Sequence, residues 1–241
     1  MRALTASDIL RVWEAGRDRY PAERALLLLA LACPTVPPND LRDLTVGQRN
    51  ARLLMLRQIT LGSLAQCFVK CPRCNEALEF TIDIEALQQP EPTTRQYILS
   101  VDDFNVSFRL PNSLDVATVA SCADVETGRR FLLERCIEEV QQHDQSVAVA
   151  ALPEQVIFAV AESMVEHDPQ SEIRLALQCH YCQHKWSTVF DIVSFFWTEI
   201  EAQAKRLLRE VHTLAKAYGW READILALSP ARRQCYLELV G

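Results

Sequence analysis

Two stretches decide the fold: Cys71–Ile84, CPRCNEALEFTIDI, and Cys179–Ile192, CHYCQHKWSTVFDI. Superposing their cysteines puts Leu78 on Trp186, Ile82 on Phe190, Asp83 on Asp191 and Ile84 on Ile192. Each stretch is a C-x-x-C pair followed by a β-prone segment, a knuckle-and-strand half. Brought together, two such halves would each give two thiolates to one site. Four thiolates at ~2.3 Å around Zn²⁺ make a closed tetrahedron. Cys71, Cys74, Cys179 and Cys182 are therefore the expected ligands of one structural zinc ion. The two pairs lie much further apart in sequence than in a compact ribbon, so the repeat, and not the spacing, is what joins them. The intervening segment, residues 85–170, reads as an insertion between the halves.

The same superposition sorts the other candidates. Cys67 falls on Leu175, an apolar strand position, and reads as a buried thiol. His180 and His184 fall on Pro72 and Glu76, so neither has a ligand counterpart in the first half. Cys33, Cys122, Cys136 and Cys235 lie on apolar helical segments and are expected in the core. Cys-Pro-Arg-Cys resembles a thioredoxin-type redox pair. That chemistry wants the first cysteine at a helix N-terminus, where its pKa falls, and here a strand follows. A catalytic zinc would keep an open position with three protein ligands. None of the histidines is followed by Glu two residues later, as deaminase chemistry would need. There is no His-Glu-x-x-His and no glycine-rich phosphate loop. No catalysis is expected.

Outward from the knuckles the chain reads as α+β and mostly helical. Helices are expected at Ser7–Ala15 and Ala22–Ala32, then a loop at Pro34–Pro38. A third helix runs from Thr45 to Thr60, opened by a Thr45/Gln48 capping box and closed by Gly62. Short strands follow at Cys67–Lys70, Ala77–Ile84, Tyr97–Val101 and Asn105–Leu110, with a loop at Pro90–Thr94. Helices are then expected at Leu114–Cys122, Glu126–Gln141 and Pro153–Glu166, and a strand at Ile173–Gln178. After Asp191 the chain is helical to its end. Ser194 caps a helix whose apolar stripe is Ile200, Ala204, Leu207, Val211, Leu214 and Tyr218. Gly219 stops it, and Ser229-Pro230 opens the last helix. Five regions result: 1–65, helical; 66–110, first knuckle and strands; 111–170, a helical insertion; 171–192, second knuckle and strand; 193–241, helical. The core would be a small zinc-ribbon-like β-unit with helical segments before, between and after it.

Composition narrows the function. The chain has 241 residues, 49% hydrophobic, so a sizeable core is expected. No apolar run approaches the ~20 residues that span a membrane, and no signal-peptide pattern opens the chain. Synthesis in the cytoplasm is expected, where nine cysteines point to metal binding more than to disulfides. The net charge of −7 argues against a broad nucleic-acid surface. The basic residues of the C-terminal helices alternate with acids, a solvated mixed face. Phe195-Phe196-Trp197 and Tyr218-Gly219-Trp220 place large aromatics at both ends of the long helix. They read either as core or, for Phe196, Trp197 and Trp220, as anchors for a partner protein.

The stretch SFFWTEIEAQAKRLLREVHTLAKAYGWREADILALSPARRQCYLELV, Ser194–Val240, resembles the C-terminal part of T4-like baseplate proteins, as coded in contractile phage and phage-like injection systems. TVGQRNARLLMLRQITLG (Thr45–Gly62), FRLPNSLD (Phe108–Asp115) and the two cysteine pairs are similar to the same family. The resemblance implies a non-enzymatic part of a baseplate, or a factor used while hub and wedges assemble. Its partners would be other baseplate, hub or spike proteins, with no small-molecule substrate and no membrane. The competing class is a zinc-ribbon module of the transcription type. Nucleic-acid ribbons tend to set Lys or Arg around their knuckles. Cys71–Ile84 carries only Arg73, against Glu76, Glu79 and Asp83, which favours protein partners.

Overall fold

Each C-x-x-C pair forms the turn of a β-hairpin. The computed structural model describes residues 1–92, 94–119, 122–143 and 145–240. Four helices come first: α1 (Ala6–Gly16), α2 (Pro21–Ala32), α3 (Pro38–Arg42) and α4 (Val46–Leu61). Strands β1 (Leu64–Lys70) and β2 (Ala77–Asp83) make the first hairpin. Then come β3 (Tyr97–Val101), β4 (Phe104–Phe108), α5 (Ser113–Val119), α6 (Val125–Cys136), β5 (Ile137–Gln142), β6 (Gln145–Ser146) and α7 (Glu154–His167). The second hairpin is β7 (Arg174–Gln178) with β8 (Lys185–Val189). Helices α8 (Ile192–Tyr218), α9 (Glu222–Ala227) and α10 (Pro230–Val240) close the chain.

The main core is built by α1, α2, α4 and the first half of α8, packed over the open ends of both hairpins. Leu28, Leu53, Leu54, Phe196 and Ile200 are fully buried there, with Ala65 and Ile84 from the first hairpin and Ile192 just after the second. Local signals set these elements. Thr5 and Asp8 close a capping box on α1, and Pro21 occupies the first turn of α2. The Thr45/Gln48 box opens α4, and Gly62, at φ 97°, ends it. Arg57 joins α4 to the rest. Its guanidinium, 3% exposed, pairs with Glu199 of α8 at 2.7 Å and donates to the carbonyls of Gly62 and Leu64.

The insertion has its own core, centred on Val106, Phe108, Cys136, Val140, Val156 and Val160. Its sheet runs β3-β4-β5-β6, all antiparallel. Two expectations are corrected here. The helix expected over Glu126–Gln141 ends at Cys136, and Ile137–Gln142 is a strand paired with β4. The pairing Phe108↔Ile137 through Phe104↔Gln142 buries Ile137 and Val140, and that tertiary gain outweighs the helical bias of IEEVQQ. The boundary expected at residue 110 cuts this sheet: β3 and β4 belong with the insertion and not with the first knuckle. The region 111–170 is therefore not all helical, and Leu87, earlier in the 85–170 segment, packs against the main core. Residues 120 and 121, in the helix expected over Leu114–Cys122, and residue 93, in the loop expected at Pro90–Thr94, lie outside the described residues.

Smaller departures have local causes. The long helix starts at Ile192, not Ser194, because Asp191 accepts the N–H groups of Val193 and Ser194 at 3.0 and 3.3 Å. Pro38 begins the short α3 where a loop was expected. Cys33 and Cys136 are buried as expected, but Cys235 is exposed on α10.

Candidate metal centre

The knuckles are conformational copies of one another. In the first, the Asn75 N–H donates to Cys71 O and the Cys71 N–H to Glu76 O, both at 2.9 Å. In the second, the Gln183 N–H donates to Cys179 O and the Cys179 N–H to His184 O, again both at 2.9 Å. Asn75 and Gln183 occupy the left-handed region at φ 60° and 57°. Asn tolerates that region, and Gln does so at a cost. The strands keep a common register, Lys70↔Ala77 in one hairpin and Gln178↔Lys185 in the other. The internal repeat is therefore a repeat of structure.

The hairpins bring their tips together. Cys71 Sγ lies 3.7 Å from Cys182 Sγ, and Cys74 Sγ lies 3.6 Å from Cys179 Sγ. All four sulfurs fall within 4.8 Å of one another. A regular tetrahedron with ~2.3 Å metal–sulfur bonds has sulfur–sulfur edges of ~3.8 Å. A disulfide needs ~2.05 Å. The spacing fits four ligands around one small cation and does not fit paired cystines. Cys71 and Cys179 are buried, while Cys74 and Cys182 sit nearer solvent. Leu78 and the partly buried Val69 and Trp186 pack against the sulfurs.

The electrostatics fit a cation. Burial works to raise the Cys71 thiol, but donation from the Cys74 and Arg73 N–H groups and the Cys74 and Cys182 thiols outweighs it and brings Cys71 down to about 7. At Cys74 the Glu76 N–H lowers the thiol, yet burial and the thiols of Cys182, Cys71 and Cys179 together push it up to about 12. One thiolate forms easily and the next is opposed by its neighbours. A divalent cation among the sulfurs removes that conflict.

Cys67 faces inward from β1 but is only partly buried, set against the main core. Burial raises its thiol, and Glu199 adds to the rise. His180 packs tilted against Tyr181, His184 stacks with Trp186, and neither joins the sulfur cluster. Sequence reasoning missed the left-handed turn residues and the covering Val69. The superposition held a signal for the first, since Asn75 and Gln183 fall on one position.

The aromatic anchors need correction. Phe196 is fully buried and Trp197 is 6% exposed, both in the main core, so neither offers a surface to a partner. Phe195 is partly buried and packs on Phe190 at 5.1 Å. Three consecutive aromatics can all be internal because each finds a different neighbour: Trp197 lies against Gly16 of α1 and under the Arg24 guanidinium of α2, Phe195 packs on Phe190, and Phe196 faces the main core. Trp220 differs. It stacks on Tyr218 at 4.6 Å and meets Tyr236 edge-on at 4.9 Å, partly buried over the small core of α8, α9 and α10.

Mixed helices around a pair of cysteine-tipped hairpins define an α+β protein with a candidate four-cysteine metal centre, and no described helix is long and apolar enough to cross a membrane. The chain matches the family model described as T4 bacteriophage base plate protein over residues 8–197, and it belongs to that family. The match ends at Trp197, so most of α8, with α9 and α10, lies beyond it. Comparison with curated proteins and with solved structures finds no match.

Proposed function

We propose that the protein is a non-enzymatic structural or assembly component of a contractile phage-like baseplate, held in shape by one structural Zn²⁺. Family membership supports the baseplate role. The observation that carries the zinc is the all-sulfur set with 3.6 and 3.7 Å edges. Zinc suits four thiolates in a closed tetrahedron, and a site with no open position serves structure and not catalysis. The ion would staple two hairpins that are far apart in sequence, so the hairpins and the helices over them stay together whatever the insertion does. Assembly in the cytoplasm, before the particle leaves the cell, is part of this reading.

The partners are other baseplate, hub or spike proteins. Among the aromatics first considered, Trp220 keeps the partner-contact role, as the centre of the Tyr218–Trp220–Tyr236 cluster. Mass spectrometry of particles captured from cells that express a tagged chain tests the proposal. Baseplate or hub proteins should co-purify with the wild-type chain and fall several-fold with Trp220→Ala, at unchanged zinc content. A tagged, folded chain that captures no particle protein would refute the baseplate role.

A further inference from the structure

A strand with no neighbour on one side is a template for another chain. Among the described residues the edge strands are β1, β2, β7 and β8 in the hairpins, and β3 and β6 in the insertion sheet. The hairpin strands carry charges, at Lys70, Glu79, Arg174 and Lys185, and β6 is two residues long. Charge and shortness both discourage edge pairing. β3 has neither protection. Its five residues, YILSV, include no charge and no proline.

The turn into β4 sets which groups of β3 face outward. Asp102 and Asp103 form a two-residue turn, with Asp102 at φ 51°, so Val101 and Phe104 are a hydrogen-bonded pair. Bonded and non-bonded pairs alternate from there, so Leu99 and Tyr97 also direct their N–H and C=O groups at β4. Ile98 and Ser100 direct theirs away from the sheet, and among the described residues no other backbone takes them up. On the sheet face they share, Ser100 bonds Asn105 at 2.6 Å, and Gln96 bonds Ser107 at 2.9 Å and Glu138 at 2.8 Å. These polar groups are satisfied within the sheet, whereas the Ile98 side chain is 76% exposed.

The ends of β3 say what fits beside it. Arg95, just before the strand, is exposed and in no ion pair among the described residues. Asp103, just after it, is exposed and has the exposed His143 at 3.8 Å. A second copy running antiparallel must set outward-facing residues opposite one another. Ile98 opposite Ile98 would face Arg95 with Val101, and Ser100 opposite Ser100 would face it with Asn105. Ile98 opposite Ser100 faces Arg95 with Asp103, and twofold symmetry makes that match twice. From this we infer that β3 is a self-association edge. Two copies join their β3 strands antiparallel in that register, giving one sheet through both insertions with an Arg95–Asp103 pair at each end. Leu99 stands opposite Leu99 at the centre, on the face that packs on the insertion core. The pairing needs neither the metal nor the baseplate role.

Sedimentation velocity of the full, metal-loaded chain tests it, under reducing conditions that keep the exposed Cys235 from crosslinking. A single strand pair is a small interface, so the mass should rise from 27.4 kDa toward twice that value across roughly 1–100 µM. Ile98→Lys adds a charge to the edge at an exposed position and should weaken the dimer at least about tenfold, with circular dichroism and metal content unchanged. Arg95→Asp and Asp103→Arg each set like charges opposite one another at both ends and should each weaken it about tenfold. The two changes together should bring it back to within about threefold of wild type. A chain still monomeric at about 100 µM would overturn self-pairing and leave the edge to a different protein. A dimer that survives Ile98→Lys would overturn β3 as the seam. A dimer broken by Ile98→Lys but indifferent to the charge reversals, or not rescued by the pair of them, would overturn the register.

Discussion

Phe196→Ala separates a core role from a partner-binding role at the residue where sequence reasoning left both open. Phe196 is fully buried in the main core, on the first half of α8. Truncating a fully buried Phe to Ala removes its transfer free energy and leaves a cavity, together about 3–5 kcal/mol. The upper part of that range is expected here, because α1, α2 and α4 all pack on α8 and cannot all move in to fill the cavity. For a chain of this size each kcal/mol shifts the melting temperature by about 2–4 °C, so the variant should melt roughly 6–20 °C lower. Urea unfolding followed by far-UV circular dichroism gives the free energy, and metal analysis of the folded fraction gives zinc content. Folded Phe196→Ala protein should keep its zinc, since the sulfur cluster lies at the far ends of the hairpins. A loss below about 1 kcal/mol, paired with failure to bind baseplate partners, would refute the core assignment.

Cys71→Ser should abolish metal binding and unfold the paired hairpins, because a lost thiolate opens the closed site and removes its folding free energy. Cys67→Ser should keep metal and cost about 1–2 kcal/mol, a polar swap at a partly buried position, as metal content and melting of the two variants will show. Asp8 gives a pH signature. The Arg2 guanidinium, at 2.6 Å, and the Thr5 cap hold its carboxyl down at about 2. Because the folded pKa is depressed, the stability it contributes is present above the unfolded value of ~3.9 and is lost as pH falls toward 2. The difference in unfolding free energy between wild type and Asp8→Asn should therefore shrink steadily from pH 5 to pH 2.5, and a constant difference would remove Asp8 from the acid response.

The sequence carried the site further than it carried the fold around it. The knuckle repeat was legible because tight turns and cysteine ligands constrain residue type locally, and the superposition paired strands that share one register. Helices with caps were legible for the same reason: Thr45, Gln48, Gly62 and Gly219 act within a turn of their own element. Ile137–Gln142 was not legible, because nothing local makes IEEVQQ a strand; its partner Phe104–Phe108 does. For Phe196 and Trp197 the sequence left core and anchor both open, and burial decides for core. A helical stripe shows which face is apolar, but not that the other faces of the same turn are also covered. The hydrogen bond from the Gly47 N–H to Asp168 brings together residues far apart in sequence, each ordinary by itself.

X-ray absorption at the zinc edge, on protein purified without chelator, reaches the central claim directly. One zinc per chain with four sulfur neighbours at ~2.3 Å is the result expected of Cys71, Cys74, Cys179 and Cys182. A spectrum with nitrogen or oxygen ligands, or a chain that folds with no metal at all, would contradict it.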